Sequence, residues 1–122
     1  MNERTTKRPS NDFERYHAHL YYDASTIAIA RRIRFAATVS FNIEPGRIHE
    51  KQVGPHPRWS CQLAFDKDEF ERFIPWLESV REGLTVFVHP VHGDVLAEHT
   101  TDAAWLGDPV ALNIGFFDKF LK

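Results

Sequence analysis

The sequence predicts an α+β domain of the ferredoxin-like type, in which the elements follow the order β-α-β-β-α-β. Residues 16–22, 59–65 and 84–89 alternate between large apolar and other side chains, which is typical of strands. Apolar residues recur at helical spacing after the first and second of these segments. Two helices would then cover one face of an antiparallel sheet, and residues 90–122 would form a C-terminal extension.

The first strand carries two histidines on one face. In Tyr16-His17-Ala18-His19-Leu20-Tyr21, successive side chains point to opposite faces, so His17, His19 and Tyr21 share one of them. Histidine is the commonest metal ligand, and two histidines on one strand face can converge on a single ion. This face is therefore predicted to carry a metal site.

The next segments predict a helix and a hairpin. Asp23-Ala24-Ser25-Thr26 offers capping side chains for a helix over residues 25–39. Pro45-Gly46 interrupts the chain, and residues 47–53 are predicted to form a polar edge strand. Residues 59–65 would return beside it as the third strand.

The second helix is predicted to begin at Asp66, which forms a capping-box pattern with Glu69. Pro75 lies inside this segment, so we expect either a kink or a break at which Pro75 opens a second helical piece. The apolar face of the helix is formed by Phe70, Phe73, Ile74, Leu77 and Val80.

The fourth strand brings a third histidine to the open face. Leu84, Val86 and Val88 are predicted to face the helices, whereas Thr85, Phe87 and His89 face the other way. The ferredoxin-like order places this strand beside the first one. His89 is therefore expected to lie on the same face as His17 and His19.

Composition limits the domain organisation and the class of protein. The 122 residues suffice for one domain, predicted over residues 12–122, and the polar residues 1–11 are predicted to be a flexible tail. Fifteen basic and seventeen acidic residues argue against a nucleic-acid partner. The sequence lacks a signal-peptide pattern and a long apolar run, which predicts a cytoplasmic protein with no membrane partner. Cys61 is the only cysteine, which excludes an intrachain disulfide.

Four short motifs, together with their order, resemble the DOPA 4,5-dioxygenase family over roughly residues 13–117. They are Tyr16-His17-Ala18-His19-Leu20-Tyr21-Tyr22-Asp23, Gly54-Pro55-His56-Pro57, Val88-His89-Pro90, and Glu98-His99-Thr100 with Ala104-Trp105-Leu106-Gly107. The resemblance implies a ferredoxin-like fold and extradiol cleavage of a catechol such as L-DOPA, with dioxygen and non-haem iron(II). The recurring histidines of the family fall on His19, His56, His89 and His99.

Extradiol chemistry implies an iron centre with open positions, commonly held by two histidines and one carboxylate. His19 and His89 are the expected ligands because adjacent strands hold them rigidly. His56 is the expected third ligand, since the prolines on either side of it stiffen its turn. Glu98 and Glu50 are the candidate carboxylates.

The resemblance also implies acid–base and substrate-binding residues. His99 is expected to move protons because it lies outside the sheet on a segment that would close over the site, and His17 is its substitute. Arg58 is expected to bind a substrate carboxylate. Three aromatic residues are expected to contact the substrate ring: Tyr21, Phe87 and Trp105.

Two other functions fit the same residues. The first is a non-catalytic dimer that binds a metal or a small molecule on the open sheet face. The second is a metal-free ferredoxin-like enzyme, an isomerase or a monooxygenase, in which the histidines act only as acids and bases. A homodimer is expected in any case, because an open sheet face rarely stays bare.

Overall fold

The structure, a computed structural model, describes residues 7–120 of the chain. A single antiparallel sheet is flanked by two long helices and followed by a C-terminal extension. The elements in chain order are β1 (Arg15–Tyr22), α1 (Ile27–Ser40), β2 (Glu44–Pro45), β3 (Trp59–Asp66), α2 (Lys67–Val80), β4 (Val86–Pro90), α3 (Val95–Glu98), β5 (Ala104–Leu106) and a final 3₁₀ helix (Ile114–Phe120).

The predicted ferredoxin-like sandwich is confirmed. The strand order is β2-β3-β1-β4-β5, so the first four strands have the expected arrangement and β5 adds an edge strand beside β4. The central strand β1 pairs along its whole length with β3, from Arg15 opposite Asp66 to Tyr22 opposite Trp59. On its other side it pairs with β4, where His17 lies opposite His89.

The hydrophobic core lies between the sheet and the two long helices, on the face that the alternation predicts. β1 contributes Tyr16, Ala18, Leu20 and Tyr22, and β4 contributes Val86 and Val88. Because side chains alternate along a strand, the histidines of β1 and β4 are directed to the opposite face. The buried residues of the helices are Ala30, Ile33 and Ala37 in α1 and Phe70, Phe73, Ile74 and Leu77 in α2.

The predicted edge strand over residues 47–53 is wrong. The second strand is only Glu44–Pro45, and residues 47–53 are irregular. Pro45 has no backbone N–H, and beyond it the Gly46 amide still donates to the Gln62 carbonyl at 2.6 Å. Farther on, the His49 amide donates to the Ser60 carbonyl at 3.1 Å, and the Tyr22 hydroxyl lies 2.8 Å from the His49 carbonyl and 2.9 Å from that of Ser60. Isolated contacts thus join this segment to β3 in place of a strand ladder.

The second helix is continuous from Lys67 to Val80 and contains Pro75, so the predicted break is absent. The Asp66 side chain caps the helix by accepting from the Asp68 amide at 2.9 Å. Glu69 does not complete a capping box; its carboxylate instead accepts from the Asn42 amide at 2.7 Å. This contact ties the start of α2 to the end of α1.

The predicted tail, residues 1–11, falls partly outside the described residues, which begin at residue 7. The Lys7 carbonyl accepts from the Trp105 amide at 2.9 Å, beside β5. The Arg8 guanidinium forms an ion pair with Glu78 of α2 at 2.9 Å. Residues 7 and 8 therefore contact both the sheet edge and a helix.

The C-terminal extension covers part of the open sheet face. Its backbone returns to the loop that contains His56, where the Asn113 amide donates to the Pro55 carbonyl at 2.8 Å. Phe117 of the 3₁₀ helix is buried against the ring of His99 at a centroid distance of 4.6 Å. The expected homodimer stays a prediction, because the face from which it was inferred is partly covered by the chain itself.

Cys61 is fully buried in β3, as expected for a cysteine that packs in a strand. Burial raises the pKa of its thiol to about 11. Within residues 7–120, no helix is both long and apolar enough to cross a membrane.

Candidate metal centre

Three histidines meet on the open face because β1 and β4 are neighbours. His17 and His89 are cross-strand partners, and their rings lie 5.2 Å apart between centroids. His19 lies two residues further along β1, and its Nε2 is 3.0 Å from Nε2 of His89. His19 and His89 are buried, whereas His17 is half-buried.

Two further histidines reach the same place from loops. The His56 ring lies 4.2 Å from that of His19, and its Nδ1 is 2.8 Å from the Tyr21 hydroxyl. His99 directly follows α3, and its ring lies 4.3 Å from that of His89. We refer to His17, His19, His56, His89 and His99 as the histidine cluster.

One of the two candidate carboxylates joins this cluster. Glu98 is 4% exposed, and its Oε2 accepts from the backbone amides of His92 and Gly93, both at 2.8 Å. Glu50 is exposed and forms an ion pair with Arg31 at 3.3 Å on the surface. Glu98 is therefore the carboxylate that the fold brings to the histidines.

Among the described residues, two groups of three side chains have converging ligand atoms. Within each group, these atoms all lie within 4.8 Å of one another. The first group is His17, His19 and His89, and the second is His89, Glu98 and His99. His89 belongs to both groups, and His56 belongs to neither. The histidine cluster can thus bind a metal ion, with His89 as the shared residue.

Backbone carbonyls orient two of the histidines. Nδ1 of His89 is 2.8 Å from the Pro90 carbonyl, and Nδ1 of His99 is 2.7 Å from the Val95 carbonyl. A carbonyl only accepts, so the hydrogen-bond network assigns the proton of each ring to Nδ1. Each Nε2 then carries a lone pair, which for His89 faces Nε2 of His19 at 3.0 Å, and a lone pair on Nε2 is the usual arrangement for a metal-binding histidine.

Burial keeps the cluster uncharged near neutral pH. Desolvation, with smaller contributions from neighbouring histidines, lowers the pKa of His89 to about 3 and that of His56 to about 4. Burial also lowers the pKa of His19 well below its usual value, and it lowers those of His17 and His99. Neutral imidazoles are the form that binds metal, so no proton has to be displaced from a charged ring.

An aromatic wall borders the cluster. Phe87 lies between His19 and Trp105, with centroid distances of 5.6 and 4.8 Å, and Tyr21 lies 6.3 Å from Trp105. These three aromatic residues form a buried cluster separate from the main core. The structure thus brings together the predicted ring-binding residues Tyr21, Phe87 and Trp105.

Arg58 lies apart from the aromatic wall, at a cleft of about 460 Å³ near the ends of β1 and β3. The side chain is exposed, and the cleft is also lined by Tyr21, Trp59 and Thr85. Tyr21 is therefore shared between the cleft and the surroundings of the cluster. Arg58 is placed to meet a ligand in the cleft.

Residue types alone did not identify the groups that orient the histidines. The Pro90 carbonyl follows His89 directly, and the Val95 carbonyl lies one helical turn before His99. The four-residue spacing from Val95 to His99 is the sequence signal for the second contact. The contact of Phe117 with His99 depends on how the extension folds back.

The fold and the site define a ferredoxin-like α+β protein with a buried histidine cluster that can bind a metal. Residues 16–116 match the Dopa 4,5-dioxygenase family, and the chain belongs to that family.

Similar proteins agree with this assignment. The chain superimposes on the crystal structure of a "putative dioxygenase" from Nostoc punctiforme with a TM-score of 0.86 and 38% identity, covering 93% of this chain and 99% of that one. It is 24% identical to the DOPA 4,5-dioxygenase of Amanita muscaria over 85% of this chain and 50% of that protein. It is 36% identical to an uncharacterized 21.2 kDa protein of Botryotinia fuckeliana over 60% of this chain and 44% of that protein. The chain thus spans about half the length of these two curated relatives.

Proposed function

We propose that this protein is a non-haem iron(II) dioxygenase that cleaves the ring of a catechol, such as L-DOPA, in the extradiol manner. The observation that carries the proposal is a set of buried and half-buried neutral histidines, two of which have Nε2 lone pairs oriented by backbone carbonyls, beside a buried carboxylate. Membership of the Dopa 4,5-dioxygenase family and the name of the Nostoc protein support it. The substrates would be a small catechol and dioxygen.

His89, His99 and Glu98 are the ligand set that the hydrogen bonds favour. Two imidazoles and one carboxylate with open positions are typical of non-haem iron(II) oxygenases. Their ligand atoms lie within 4.8 Å of one another, and both imidazoles have a lone pair on Nε2 in the assigned tautomer. The set of His19, His56 and His89 expected from sequence stays a prediction, as does iron itself.

The metal and the surrounding residues would divide the chemistry. Bound iron(II) would supply the one-electron chemistry that allows dioxygen to react with a catechol. If His99 is a ligand, the acid–base role passes to His17, which is half-buried and neutral and can accept a proton from a catechol hydroxyl. The aromatic wall would border the ring and limit access of water.

In the absence of metal, His19 has its proton on Nε2, whereas His89 has its proton on Nδ1. His89 has its proton on Nδ1, so the Nε2 contact of 3.0 Å requires His19 to donate its Nε2–H to His89. Cis ligands about 2.1 Å from one ion are also about 3 Å apart, so the same distance suits a shared metal. The hydrogen bond between His19 and His89 forms without a metal, so a metal-free acid–base enzyme is the second candidate. Sensitivity to a chelator distinguishes the iron enzyme from the metal-free enzyme.

Oxygen uptake by anaerobically purified, iron(II)-reconstituted protein tests the proposal directly. We expect uptake with at least one member of a catechol panel, formation of a coloured ring-opened product, and loss of both after chelation. The metal-free form and a zinc-loaded form are the controls. Turnover that survives the chelator would favour the metal-free enzyme, and iron binding without any oxygen uptake would favour a binding protein.

The position of Arg58 at the cleft predicts a preference for catechols that bear a carboxylate. If the cleft holds the substrate side chain, Arg58→Met should raise KM about tenfold, or about 1.4 kcal/mol, for catechols that bear a carboxylate. For a methyl-substituted catechol, which has no carboxylate, KM should not change. Arg47→Met, at an exposed arginine, is the matched control. Equal effects on both substrates would argue against a carboxylate contact at Arg58.

A further inference from the structure

Tyr21 and His56 form a buried hydrogen bond that determines where His56 carries its proton. The Tyr21 oxygen lies 2.8 Å from Nδ1 of His56, and both side chains are buried. A neutral imidazole has one protonated nitrogen and one with a free lone pair. The direction of this hydrogen bond therefore decides whether Nε2 of His56 can bind a metal.

Donation by Tyr21 is the favoured direction. If Tyr21 instead accepted from Nδ1–H, its own hydroxyl proton would need a second acceptor. Within residues 7–120, His56 is the one hydrogen-bond partner that the Tyr21 hydroxyl has. Donation by Tyr21 places the remaining proton on Nε2 of His56, which is not among the described buried atoms that lack a hydrogen-bond partner. A buried O–H without an acceptor costs more than an N–H that water or a ligand can reach, so Tyr21 donates and the His56 proton lies on Nε2.

The neighbouring histidines are in the opposite state. His89 and His99 donate from Nδ1 to backbone carbonyls, which leaves the lone pair of each ring on Nε2, the form that can bind a cation. His56 has a hydroxyl donor at the equivalent nitrogen, so its other nitrogen is an N–H without a lone pair. His56 is also absent from both groups of converging ligand atoms.

We infer that Tyr21 is a positioning residue that holds His56 as the Nε2–H tautomer, which makes His56 a hydrogen-bond donor to a substrate oxygen rather than a metal ligand. The substrate in this inference rests on the proposed function, whereas the tautomer does not. The His56 ring lies 4.2 Å from that of His19, so its N–H belongs to the same cluster. An N–H donor there would orient an oxygen atom without competing for the metal.

Nitrogen-15 NMR of the full-length, metal-free protein tests the tautomer. In long-range proton–nitrogen correlation spectra at neutral pH, we expect His56 to be protonated at Nε2 and His89 and His99 at Nδ1. Tyr21→Phe removes the donor and should increase the Nδ1–H form of His56. Tyr22→Phe is the matched control, because it removes a buried hydroxyl that bonds to backbone carbonyls on the other face of the sheet. An Nδ1–H signal for His56 in the unmodified protein would overturn the inference.

Metal titration tests whether His56 is a ligand. With cobalt(II) as the probe, followed by its visible absorption, we expect His56→Gln to change the affinity by less than about threefold. His99→Gln should weaken binding by at least about tenfold. In the iron-loaded protein, His56→Gln and Tyr21→Phe should lower kcat more than they raise KM.

A loss of cobalt affinity in His56→Gln as large as that in His99→Gln would make His56 a ligand and contradict the inference. Circular dichroism of each variant, compared with the unmodified protein, shows whether it is folded, and Tyr21→Phe offers a milder change than loss of the ring. If no catechol supports oxygen uptake, the proposed function fails. The spectra and the cobalt titration still decide the state of His56.

Discussion

The variant His89→Gln is expected to bind iron(II) at least about 100-fold more weakly than the unmodified protein and to lose the proposed ring-cleaving activity. His89 belongs to both groups of converging ligand atoms, so no three-residue group among the described residues remains without it. His89 donates its Nδ1–H to the Pro90 carbonyl, which leaves the lone pair of the ring on Nε2. The side-chain amide of glutamine cannot reproduce that arrangement. Equilibrium titration with iron(II) under anaerobic conditions, together with oxygen uptake, measures both effects.

Two further variants test whether the effect is specific to the histidine cluster and to one of its two ligand groups. His49→Gln makes the same chemical change outside the histidine cluster and should retain metal binding and turnover. His19→Gln separates the two possible groups, because it removes a ligand from the group with His17 and leaves the group with Glu98 intact. Iron affinity in His89→Gln equal to that of the unmodified protein, with the fold confirmed by circular dichroism, would rule out the histidine cluster as the metal site.

The positions of His17, His19 and His89 follow from the sequence because strand alternation has a period of two. Alternation assigns each side chain to a face, and the order of elements places the fourth strand beside the first. These two rules suffice to place His89 on the strand beside His17 and on the same face, and the register of the structure sets the two residues directly opposite each other. The same rules correctly separate the apolar partners of the helices, such as Leu20 and Val86, from the open face.

The remaining parts of the site depend on irregular backbone that these rules do not describe. Glu98 becomes buried because α3 is only four residues long and the loop before it supplies amides from His92 and Gly93. The distinction between His56 and His99 depends on which neighbour each Nδ1 meets, a hydroxyl or a carbonyl. The Val95 carbonyl is local, one helical turn before His99, whereas the Tyr21 hydroxyl meets His56 only because the loop returns to the sheet.

The failed edge strand has a related cause. A strand prediction over residues 47–53 considers the polarity of the segment, whereas its backbone meets β3 at isolated points, such as the His49 amide on the Ser60 carbonyl beside the Tyr22 hydroxyl. The irregular path carries the chain to His56 and the end of the sheet. The local error therefore lies next to the loop that completes the histidine cluster.

The metal-free protein is expected to lose stability steeply as the pH falls below about 6.5, which is the pKa of histidine in an unfolded chain. In the folded protein, burial lowers the pKa of His89 to about 3 and that of His56 to about 4. The unfolded chain therefore binds more protons than the folded one between these values, and falling pH favours unfolding. Each of the two histidines contributes about 1.4 kcal/mol per pH unit in this window, so the pair contributes about 3 kcal/mol per unit.

Urea unfolding followed by circular dichroism, at several pH values between about 7 and 4.5 and with a chelator present, measures this slope. Small domains are stable by only about 5–15 kcal/mol, so a slope of this size should bring the protein close to unfolding before pH 4 is reached. His56→Gln should reduce the slope by about 1.4 kcal/mol per pH unit, because glutamine does not titrate. The burial of His19 lowers its pKa in the same direction and adds to the effect. A free energy of unfolding that stays constant across this range would show that the histidine cluster is hydrated or already protonated in the folded protein. The neutral imidazoles inferred from burial, which are the form that binds metal, would then be wrong.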